Sequence, residues 1–544
     1  MKMKTTLIAA FLLFTSLALN GDALHVKAVT GFQGAKTGSI RGRITEVDTG
    51  KPLRRARVRV LADRQDSFAR AVMASTNSRG EFEVTGLAAG SYFVTGTRAG
   101  FVSVQYGQRR ATERGLAVDV RAGEVSDRID IALPRGAVIS GRVADDIGAP
   151  YPGVRVDALV LRYRNGKRVP TISGGSTTDD LGNFRISGLE PGSYYLAATS
   201  TETWRNDKKE TIGYPSTYYP AGGVDQAQVI SLAASEQKSE IQMNLQSSPT
   251  SRISGRVVRT SGEAVPGAGV TIAYSYPGVI MTAGMRSVRT GPDGSFQIKD
   301  VSGGVYSVSS GGDDVILTVT GTDIDDVVLT QKTGSTVIGS VVTEEGTSPA
   351  FPVSGVRVVI ESFSDKVLPT VRVVQVNDDW SFRMQGLGGP FMFRLTGLPD
   401  DWTMATATLN DRNIADEPFD VPTGGKEITG AKIIVTRRIP RVTGTVLDDK
   451  GQPTAAASVL IFADDPSQWI PYSRFVRATR PGADGRFMLS GLPPGTYRAA
   501  ALEFLEQGQE VDASFLADLR DAAKTLTLGE GALETITLTV RASR

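Results

Sequence analysis

The sequence contains almost none of the side chains that usually carry catalysis. Its 544 residues include one histidine, His25, and no cysteine. Nucleophilic catalysis by serine or cysteine needs an imidazole beside the nucleophile, and catalytic zinc is usually held by His and Cys. The composition therefore excludes disulfides, thiolate metal sites and cysteine nucleophiles, and it argues strongly against a catalytic triad or a zinc hydrolase.

Paired carboxylates are the remaining chemistry, because two of them can hydrolyse a glycosidic bond. Adjacent aspartates occur at Asp145 and Asp146, Asp179 and Asp180, Asp378 and Asp379, and Asp448 and Asp449. Each pair lies at a predicted turn, where aspartate accepts hydrogen bonds from backbone N–H groups. A further acidic run contains Asp313, Asp314, Asp323, Asp325 and Asp326. It could hold calcium but lacks a spaced ligand loop. We therefore predict no catalytic residues, no metal site and no cofactor.

Aromatic residues outside the repeated pattern suggest binding instead of catalysis. The segment 202–223 lies between repeat strands and carries four rings beside polar side chains. Flat rings next to hydrogen-bonding groups suit a sugar, and surface loops on a rigid scaffold are common recognition sites. We predict that carbohydrate is bound by Trp204, Tyr214, Tyr218, Tyr219, Asn206, Asp207 and Lys208. The alternative is that the rings are buried to hold a long loop in place.

Other clusters have simpler interpretations. A second aromatic group, again either a binding surface or loop packing, contains Trp469, Tyr472 and Phe475. Arginines alternate with apolar residues, and therefore share one solvated strand face, at Arg55, Arg57 and Arg59. The chain has 60 Lys and Arg against 58 Asp and Glu. This balance gives no field that would favour nucleic acid as a partner.

The first residues have the pattern of an export signal. Lys2 and Lys4 precede an apolar run from Leu7 to Leu19, and small residues follow it. The run is shorter than the ~20 residues that a membrane-spanning helix needs. We predict a signal peptide over 1–23 and a mature chain without a transmembrane segment. The protein would then be secreted, periplasmic or at the cell surface.

One phrase occurs five times along the chain. DGRFMLSGLPPGTYRAAA is matched by RGEFEVTGLAAGSYFVTG, LGNFRISGLEPGSYYLAA, DGSFQIKDVSGGVYSVSS and DWSFRMQGLGGPFMFRLT. An upstream I-x-G-x-V-like phrase accompanies each one, with its glycine at Gly42, Gly141, Gly255, Gly339 or Gly444. The period of about 100 residues is that of domains in a string, because solenoid repeats are typically ~20–50 residues long. We predict five β-sandwich domains, over 38–136, 137–250, 251–334, 335–440 and 441–544.

Each copy has the residue pattern of a small antiparallel β-sandwich. The phrases I-x-G-x-V and A-x-V-x-V alternate apolar and polar residues, as half-buried strands do. The turn D-x-G-x-P between them predicts a hairpin. Asp-Gly later supplies the positive φ of a tight turn, and Trp380 at that position predicts a turn of different shape in copy four. Tyr opens the next strand in four copies, and about seven strands complete the sandwich.

One segment departs from the all-β pattern. Residues 511–526 begin with Asp512 as a candidate helix cap. An apolar stripe follows at Phe515, Leu516, Leu519 and Ala523. We predict a short helix that lies across the fifth sandwich. The expected fold is therefore all-β, a tandem array of about five sandwiches with one short helix near the C-terminus.

The repeated pattern resembles the carboxypeptidase regulatory-like domain, a transthyretin-like β-sandwich grouped with carbohydrate-binding-like folds. The motif is G-x-V, G-x-P, A-x-V, then D-x-G-x-F-x-(I/L)-x-G-L-x-P-G-x-Y, and copies one, two and five fit it well. Copy three has Asp300 and Val301 in place of Gly-Leu, and copy four has Trp380 in the turn and lacks the Tyr. The resemblance implies accessory, non-catalytic sandwiches in an exported bacterial protein, since the zinc peptidase that gives the family its name has no counterpart here.

These observations predict a non-catalytic exported protein for binding, adhesion or scaffolding. The expected partner is a polysaccharide or another envelope or extracellular protein. Two alternatives stay open. One is a purely structural spacer, and the other is a glycoside-active enzyme with two carboxylates in a cleft.

Overall fold

The computed structural model describes residues 37–63, 71–276, 279–312, 314–363 and 371–541. The predicted signal peptide over 1–23, His25 and Asp313 lie outside these ranges. The described chain is built from strands and forms a tandem series of β-sandwiches, which confirms the predicted fold class. We number the sandwiches as units one to five. Their boundaries as independent domains stay a prediction.

Unit one has the plan that the other units share. Its strands are β1 (Gly38–Glu46), β2 (Arg57–Ala62), β3 (Val72–Ser75), β4 (Glu81–Leu87), β5 (Gly90–Thr97), β6 (Val104–Gln105), β7 (Val118–Val120), β8 (Val125–Ser126) and β9 (Ile131–Leu133). One sheet contains β4, β1, β8 and β9, and the other contains β3, β2, β5, β6 and β7. Alternating apolar residues such as Ile40, Val58 and Val84 meet between the sheets in one buried core.

Units two and three repeat this plan. Unit two contains β10 (Ala137–Ala144), β11 (Arg155–Arg164), β12 (Lys167–Thr177), β13 (Asn183–Leu189), β14 (Gly192–Thr199), β15 (Thr203–Arg205), β16 (Thr211–Gly213), β17 (Thr217–Tyr218), β18 (Ile230–Leu232) and β19 (Gln237–Asn244), and β20 (Ser248–Pro249) links it to unit three. Unit three contains β21 (Ser251–Arg259), β22 (Gly269–Tyr276), β23 (Val279–Arg289), β24 (Ser295–Val301), β25 (Gly304–Ser309), β26 (Val315–Val319) and β27 (Ile324–Gln331).

Units four and five complete the series. Unit four contains β28 (Ser335–Thr343), β29 (Arg357–Ser362), β30 (Val371–Gln375), β31 (Ser381–Leu387), β32 (Gly389–Thr396), β33 (Thr403–Leu409), β34 (Arg412–Asn413), β35 (Phe419–Val421) and β36 (Glu427–Thr436). Unit five contains β37 (Arg441–Leu447), β38 (Ser458–Ala463), β39 (Val476–Thr479), β40 (Arg486–Ser490), β41 (Gly495–Leu502), β42 (Lys524–Leu528) and β43 (Leu533–Arg541).

The predicted hairpin at the start of each copy is wrong. In unit one, β1 pairs with β4 in one sheet, while β2 pairs with β3 and β5 in the other. The connection between β1 and β2 forms a single bridge at Pro52, and the equivalent bridges of units two and five end at Pro150 and Pro453. Because proline has no N–H with which to continue a ladder, the chain leaves the first sheet there and crosses to the opposite one.

The closing strand of each unit adds a parallel pairing that the sequence pattern does not predict. The pairs are β1 with β9, β10 with β19, β21 with β27, β28 with β36 and β37 with β43. The glycine of I-x-G-x-V lies against this closing strand. A Cβ atom on Gly444 would come within 2.2 Å of the Ile536 carbonyl oxygen. The motif glycine is therefore needed for the close approach of two strands.

The turn before the F-x-I strand has the same shape in all five units. Gly485 has a φ of 76°, and Trp380 has a φ of 64° at the equivalent position. The Trp380 N–H donates to the Asn377 carbonyl, just as the Gly485 N–H donates to the Gly482 carbonyl. The predicted difference in shape is therefore wrong. The indole of Trp380 is buried against Phe351, and this burial offsets the cost of a left-handed conformation.

The predicted helix is confirmed as α1, Ala513–Arg520. The Asp512 carboxylate caps it by accepting from the backbone N–H groups of Ser514 and Phe515. Leu516 is fully buried on the outer face of β38 and β41, where a second apolar cluster of unit five also includes Trp469 and Ala523. Short 3-10 helices occur at Val224–Gln226, Pro466–Gln468 and Gln509–Val511. Over the described ranges, helices are too short or too polar to cross a membrane.

Candidate functional site

The aromatic segment 202–223 is a small sheet at the junction of units two and three. Strands β15 and β16 form an antiparallel hairpin, in which Trp204 faces Ile212. Strand β16 also pairs with β20, the linker that leads into unit three. The position of the segment between repeat strands predicts a surface loop. The structure shows instead an ordered part of the junction between units two and three.

Three rings form a row at this junction. The centroid of the Trp204 indole lies 4.9 Å from that of Tyr214, which in turn lies 4.9 Å from that of Tyr151. Trp204 is 36% exposed, whereas Tyr214 is 3% exposed and belongs to the core of unit two. Trp204 is thus a partly exposed ring that packs, at an interplanar angle of 45°, against a buried ring.

The two other predicted aromatics, Tyr218 and Tyr219, pack on two different cores. Tyr218 is 8% exposed and packs into the core cluster of unit three, beside Leu159 and Ala197 of unit two. Tyr219 is half-buried against the core of unit two. The structure therefore places the four predicted rings in different surroundings, and of the four only Trp204 is exposed.

The polar residues of the segment divide in a similar way. The side chain of Asn206 closes the hairpin, because its Oδ1 accepts from the Glu210 backbone N–H and its Nδ2 donates to Glu210 Oε2, both at 2.9 Å. Asp207 and Lys208 are exposed at the tip of the hairpin. These two side chains can take hydroxyl groups of a ligand, whereas Asn206 already has partners.

Carboxylates surround the inner rings of the row. Glu202 accepts from the Tyr151 hydroxyl at 2.6 Å, and Asp146 accepts from the Ser247 hydroxyl. Burial, together with the nearby charges of Asp146 and Asp145, raises the pKa of Tyr214 to about 12. The inner rings thus lie beside acidic side chains, whereas the Trp204 hairpin itself carries the exposed cations Arg205, Lys208 and Lys209.

The second aromatic cluster is packing within unit five. Trp469 is buried and its indole N–H donates to the Ala463 carbonyl at 2.7 Å. Phe475 stacks on Tyr497 at the edge of the core. The Tyr472 hydroxyl accepts from the amide of Asn165 in unit two, at 3.2 Å. Each ring is therefore occupied by contacts within the protein.

In the aspartate pairs, side chains accept hydrogen bonds from backbone N–H groups of the turns, as predicted. Asp145, Asp179 and Asp448 each accept from two backbone N–H groups through Oδ1, at 2.7–3.1 Å. In the acidic run, Asp323 and Asp325 form ion pairs with Arg252. Within the described ranges, His, Cys, Asp and Glu form no group of three or more that could hold a metal ion.

Charged contacts between units are the feature that sequence reasoning missed. Glu113 of unit one is wholly buried and forms ion pairs with Arg109 and with Arg480 of unit five, at 2.5 and 3.6 Å. The Arg474 guanidinium of unit five donates two hydrogen bonds, both of 2.8 Å, to the Asp416 carboxylate of unit four. Glu506 of unit five pairs with unit two at 2.8 Å, through Arg168. These side chains follow no repeated motif, so the pattern gave no signal for them.

Comparison with protein families gives one match. The model of the carboxypeptidase regulatory-like domain matches residues 39–134, 138–214 and 441–540, together about half of the chain. The matched ranges are in units one, two and five, the copies that carry the complete motif. No curated protein matches the chain.

Several pilins of known structure share stretches of β-structure with the chain. An ancillary pilin of a streptococcus has 11% identity and a TM-score of 0.21, covering 55% of this chain and 99% of the pilin. The minor pilin GBS52 of Streptococcus agalactiae has 16% identity and a TM-score of 0.21, with coverages of 40% and 98%. The major pilin BcpA of Bacillus cereus has 11% identity and a TM-score of 0.14, with coverages of 54% and 99%. At such scores the likeness carries no argument about function.

Proposed function

Since the chain belongs to the carboxypeptidase regulatory-like domain family, we propose that it is a non-catalytic, exported array of β-sandwiches. Its role is binding, adhesion or scaffolding outside the cytoplasm, with a polysaccharide or an envelope protein as partner. Export is supported by Lys2, Lys4 and the apolar run Leu7–Leu19. N-terminal sequencing of the mature protein should find a start between about residues 21 and 30, close after a small residue. An intact Met1 in the mature protein would contradict export.

The observation that carries the binding proposal is the supported, open ring of Trp204. A buried ring beneath it and the β15–β16 hairpin around it fix its orientation. A fixed ring with a free face can stack on the C–H face of a sugar without first losing conformational freedom. Asp207 and Lys208 at the hairpin tip and the carboxylate of Glu202 are the groups that would take hydroxyls. Tyr214, Tyr218, Tyr219 and Asn206 would support the site and not touch the sugar.

The spacer alternative is favoured by a specific observation as well. Tyr218 belongs to the core cluster of unit three, so the segment already has the role of joining two units. The enzymatic alternative has less support, since the first carboxylate of three pairs, at Asp145, Asp179 and Asp448, is held by backbone N–H groups. A catalytic pair would need carboxylates free to face a substrate.

Glycan binding is tested by isothermal titration calorimetry. Neutral polysaccharides are titrated into the wild type and into Trp204→Ala. One stacked ring contributes ~0.5–1.5 kcal/mol, so the variant should bind between about two- and tenfold more weakly. Ile147→Ala is the matched control, because Ile147 is an apolar side chain of the same unit that is 85% exposed. Equal binding by wild type and Trp204→Ala would reject this site. No binding by the wild type would favour the spacer.

A further inference from the structure

A cavity lies where units one, four and five meet. Its volume is about 250 Å³. The side chains that matter for its chemistry are Asp63 of unit one, Arg394 and Asp400 of unit four, and Arg474 and Arg477 of unit five. We call it the junction cavity. Its volume is below the ~300–1,000 Å³ of pockets for drug-sized ligands, so it would hold a small group.

Two of the three arginines have acceptors for their donors. Arg474 binds the Asp416 carboxylate and the carbonyls of Met404 and Ala405. Arg394 donates to the carbonyls of Ala415 and Tyr472, and the carboxylate of Glu361 lies close enough to act on its charge. These contacts hold units four and five together, and they occupy the donors of both arginines.

The acidic residues of the cavity are also accounted for. Asp63 Oδ1 accepts from Arg114 at 2.8 Å and forms an ion pair with it. Asp400 is exposed at the outer edge, where water screens its charge. Asp63 is therefore the ion-pair partner of Arg114. It acts on Arg477 only through its charge and forms no bond to it.

Arg477 is the cation that lacks a partner. Its Nε is shielded from solvent and has no hydrogen-bond acceptor, and no carboxylate of the described ranges forms an ion pair with it. Burial lowers its pKa to about 10, so the guanidinium stays charged at neutral pH. The Nε itself is closed to water, so a ligand in the cavity would meet the terminal nitrogens of the guanidinium, to which no acceptor of the described ranges bonds. Asp63 acts on the charge of Arg477 without bonding to it, so an anion at these nitrogens would add a charge-assisted hydrogen bond.

We propose that the junction cavity binds one small oxyanion, a carboxylate, sulfate or phosphate group, with the Arg477 guanidinium as its principal partner. The planar fork of arginine matches the geometry of such groups. The oxyanion is either free in solution or carried on an acidic polymer that reaches the cavity past Asp400. The bound group would lie between units four and five, and its binding should therefore stabilise the assembled chain.

The test compares the full chain with Arg477→Gln and with Arg372→Gln. Arg372 is the matched control, because it occupies the equivalent strand of unit four. A Cβ atom on Gly386 would lie 3.9 Å from Arg372 Nη2, and a Cβ atom on the equivalent Gly491 would lie 3.7 Å from Arg477 Nη2. Arg372, however, is exposed. Sulfate is titrated by calorimetry and by thermal unfolding at constant ionic strength. The wild type and Arg372→Gln should bind sulfate and gain Tm, and Arg477→Gln should bind it about tenfold more weakly or not at all.

Two further arms make every outcome decisive. Arg477→Lys keeps the charge without the fork, so it should bind sulfate with an affinity between those of the wild type and Arg477→Gln. Titration with galacturonate and with its oligomers distinguishes a free oxyanion from a carboxylate on an acidic polymer. Tighter binding of the oligomer than of the monomer identifies the polymer as the source. Equal sulfate binding by the wild type and Arg477→Gln, or no sulfate binding by the wild type, would overturn the proposal.

Discussion

Units one and two use the same stretch of the repeat in opposite ways. In both, the segment that follows the fifth strand of the repeat plan extends beyond its own sandwich and contacts another unit. In unit one it is residues 98–117, which are rich in charge and reach unit five through Arg110 and Glu113. In unit two it is residues 200–229, which are rich in aromatic residues and reach unit three through Tyr218. One position in the repeat thus gives a polar junction and an apolar one.

Because of this difference, a substitution should reduce the folding free energy by a different mechanism at each junction. An apolar junction loses free energy in proportion to the surface that is exposed again. A buried ion pair adds little net stability, but removal of one partner leaves an uncompensated charge in a place that water does not reach. Unit five carries such pairs to units one and four, so single substitutions there should cost more than comparable changes at Tyr218.

The largest effect is expected for Glu113→Ala. The side chain of Glu113 is fully buried and that of Arg480 is 3% exposed, so the variant strands a buried cation and should lower the free energy of unfolding by about 3–5 kcal/mol. Urea denaturation measures it. Glu83→Ala is the control, since its ion pair with Arg41 is half exposed and should contribute less than ~1 kcal/mol. Equal losses in the two variants would remove the distinction between the junctions.

A smaller effect is expected for Tyr218→Leu at the apolar junction. Leucine keeps part of the buried surface, so the loss should be about 1–3 kcal/mol. The loss should be the same at low and high salt, because apolar contacts carry no charge to be screened. The same denaturation experiment at two salt concentrations checks this. A clear salt dependence for Tyr218→Leu would show that charge also holds this junction.

The smallest effect is a dependence on pH that the ion pairs of unit five should have and the apolar junction should not. Burial would raise the pKa of Asp416, but the bound Arg474 guanidinium outweighs it and holds this pKa below its usual value. The folded state therefore gains stability above the unfolded pKa of ~3.9, and it loses this gain as pH falls through the lower, folded pKa. Stability measured from neutral to acid pH should fall less in Asp416→Leu/Arg474→Met than in the wild type. Identical profiles would contradict the role of this pair.

The elements within a unit could be predicted from the sequence because each motif residue has a local physical reason. Tyr194 and Tyr497, for example, each donate a hydrogen bond to the carbonyl four residues earlier, at 2.8 and 2.6 Å. Even the irregular copies keep the backbone, since Asp300 takes a φ of 55° where Gly491 has 80°. The crossing between sheets was not predictable from alternation, because alternating residues face the core from either sheet.

The contacts between units could not be predicted in the same way. Arg474 and Arg480 look like ordinary surface arginines in the sequence, and their partners are far away along the chain, at Asp416 and Glu113. Of the predicted binding residues, Trp204 stays partly exposed because its hairpin ends at the surface. Tyr214 is buried in the core of unit two, and Tyr218 is buried where units two and three pack, which a single repeat does not encode.

The most direct test of this account asks whether units one and five meet in solution. The Gln507 N–H donates to the Thr112 carbonyl at 2.9 Å, beside an antiparallel bridge between Glu113 and Glu506. Facing residues in such a pair have Cα atoms about 4.5–5.5 Å apart, which a disulfide can span. The native chain has no Cys, so Thr112→Cys/Gln507→Cys carries the only thiols.

Mild oxidation of this double variant, followed by a non-reducing gel and mass spectrometry, gives the measurement. The account predicts a disulfide within one molecule. In the control Thr112→Cys/Lys450→Cys, where Lys450 lies in an exposed turn of unit five, both thiols should stay free. Two free thiols in the first variant, or disulfides formed only between molecules, would contradict the contact between units one and five.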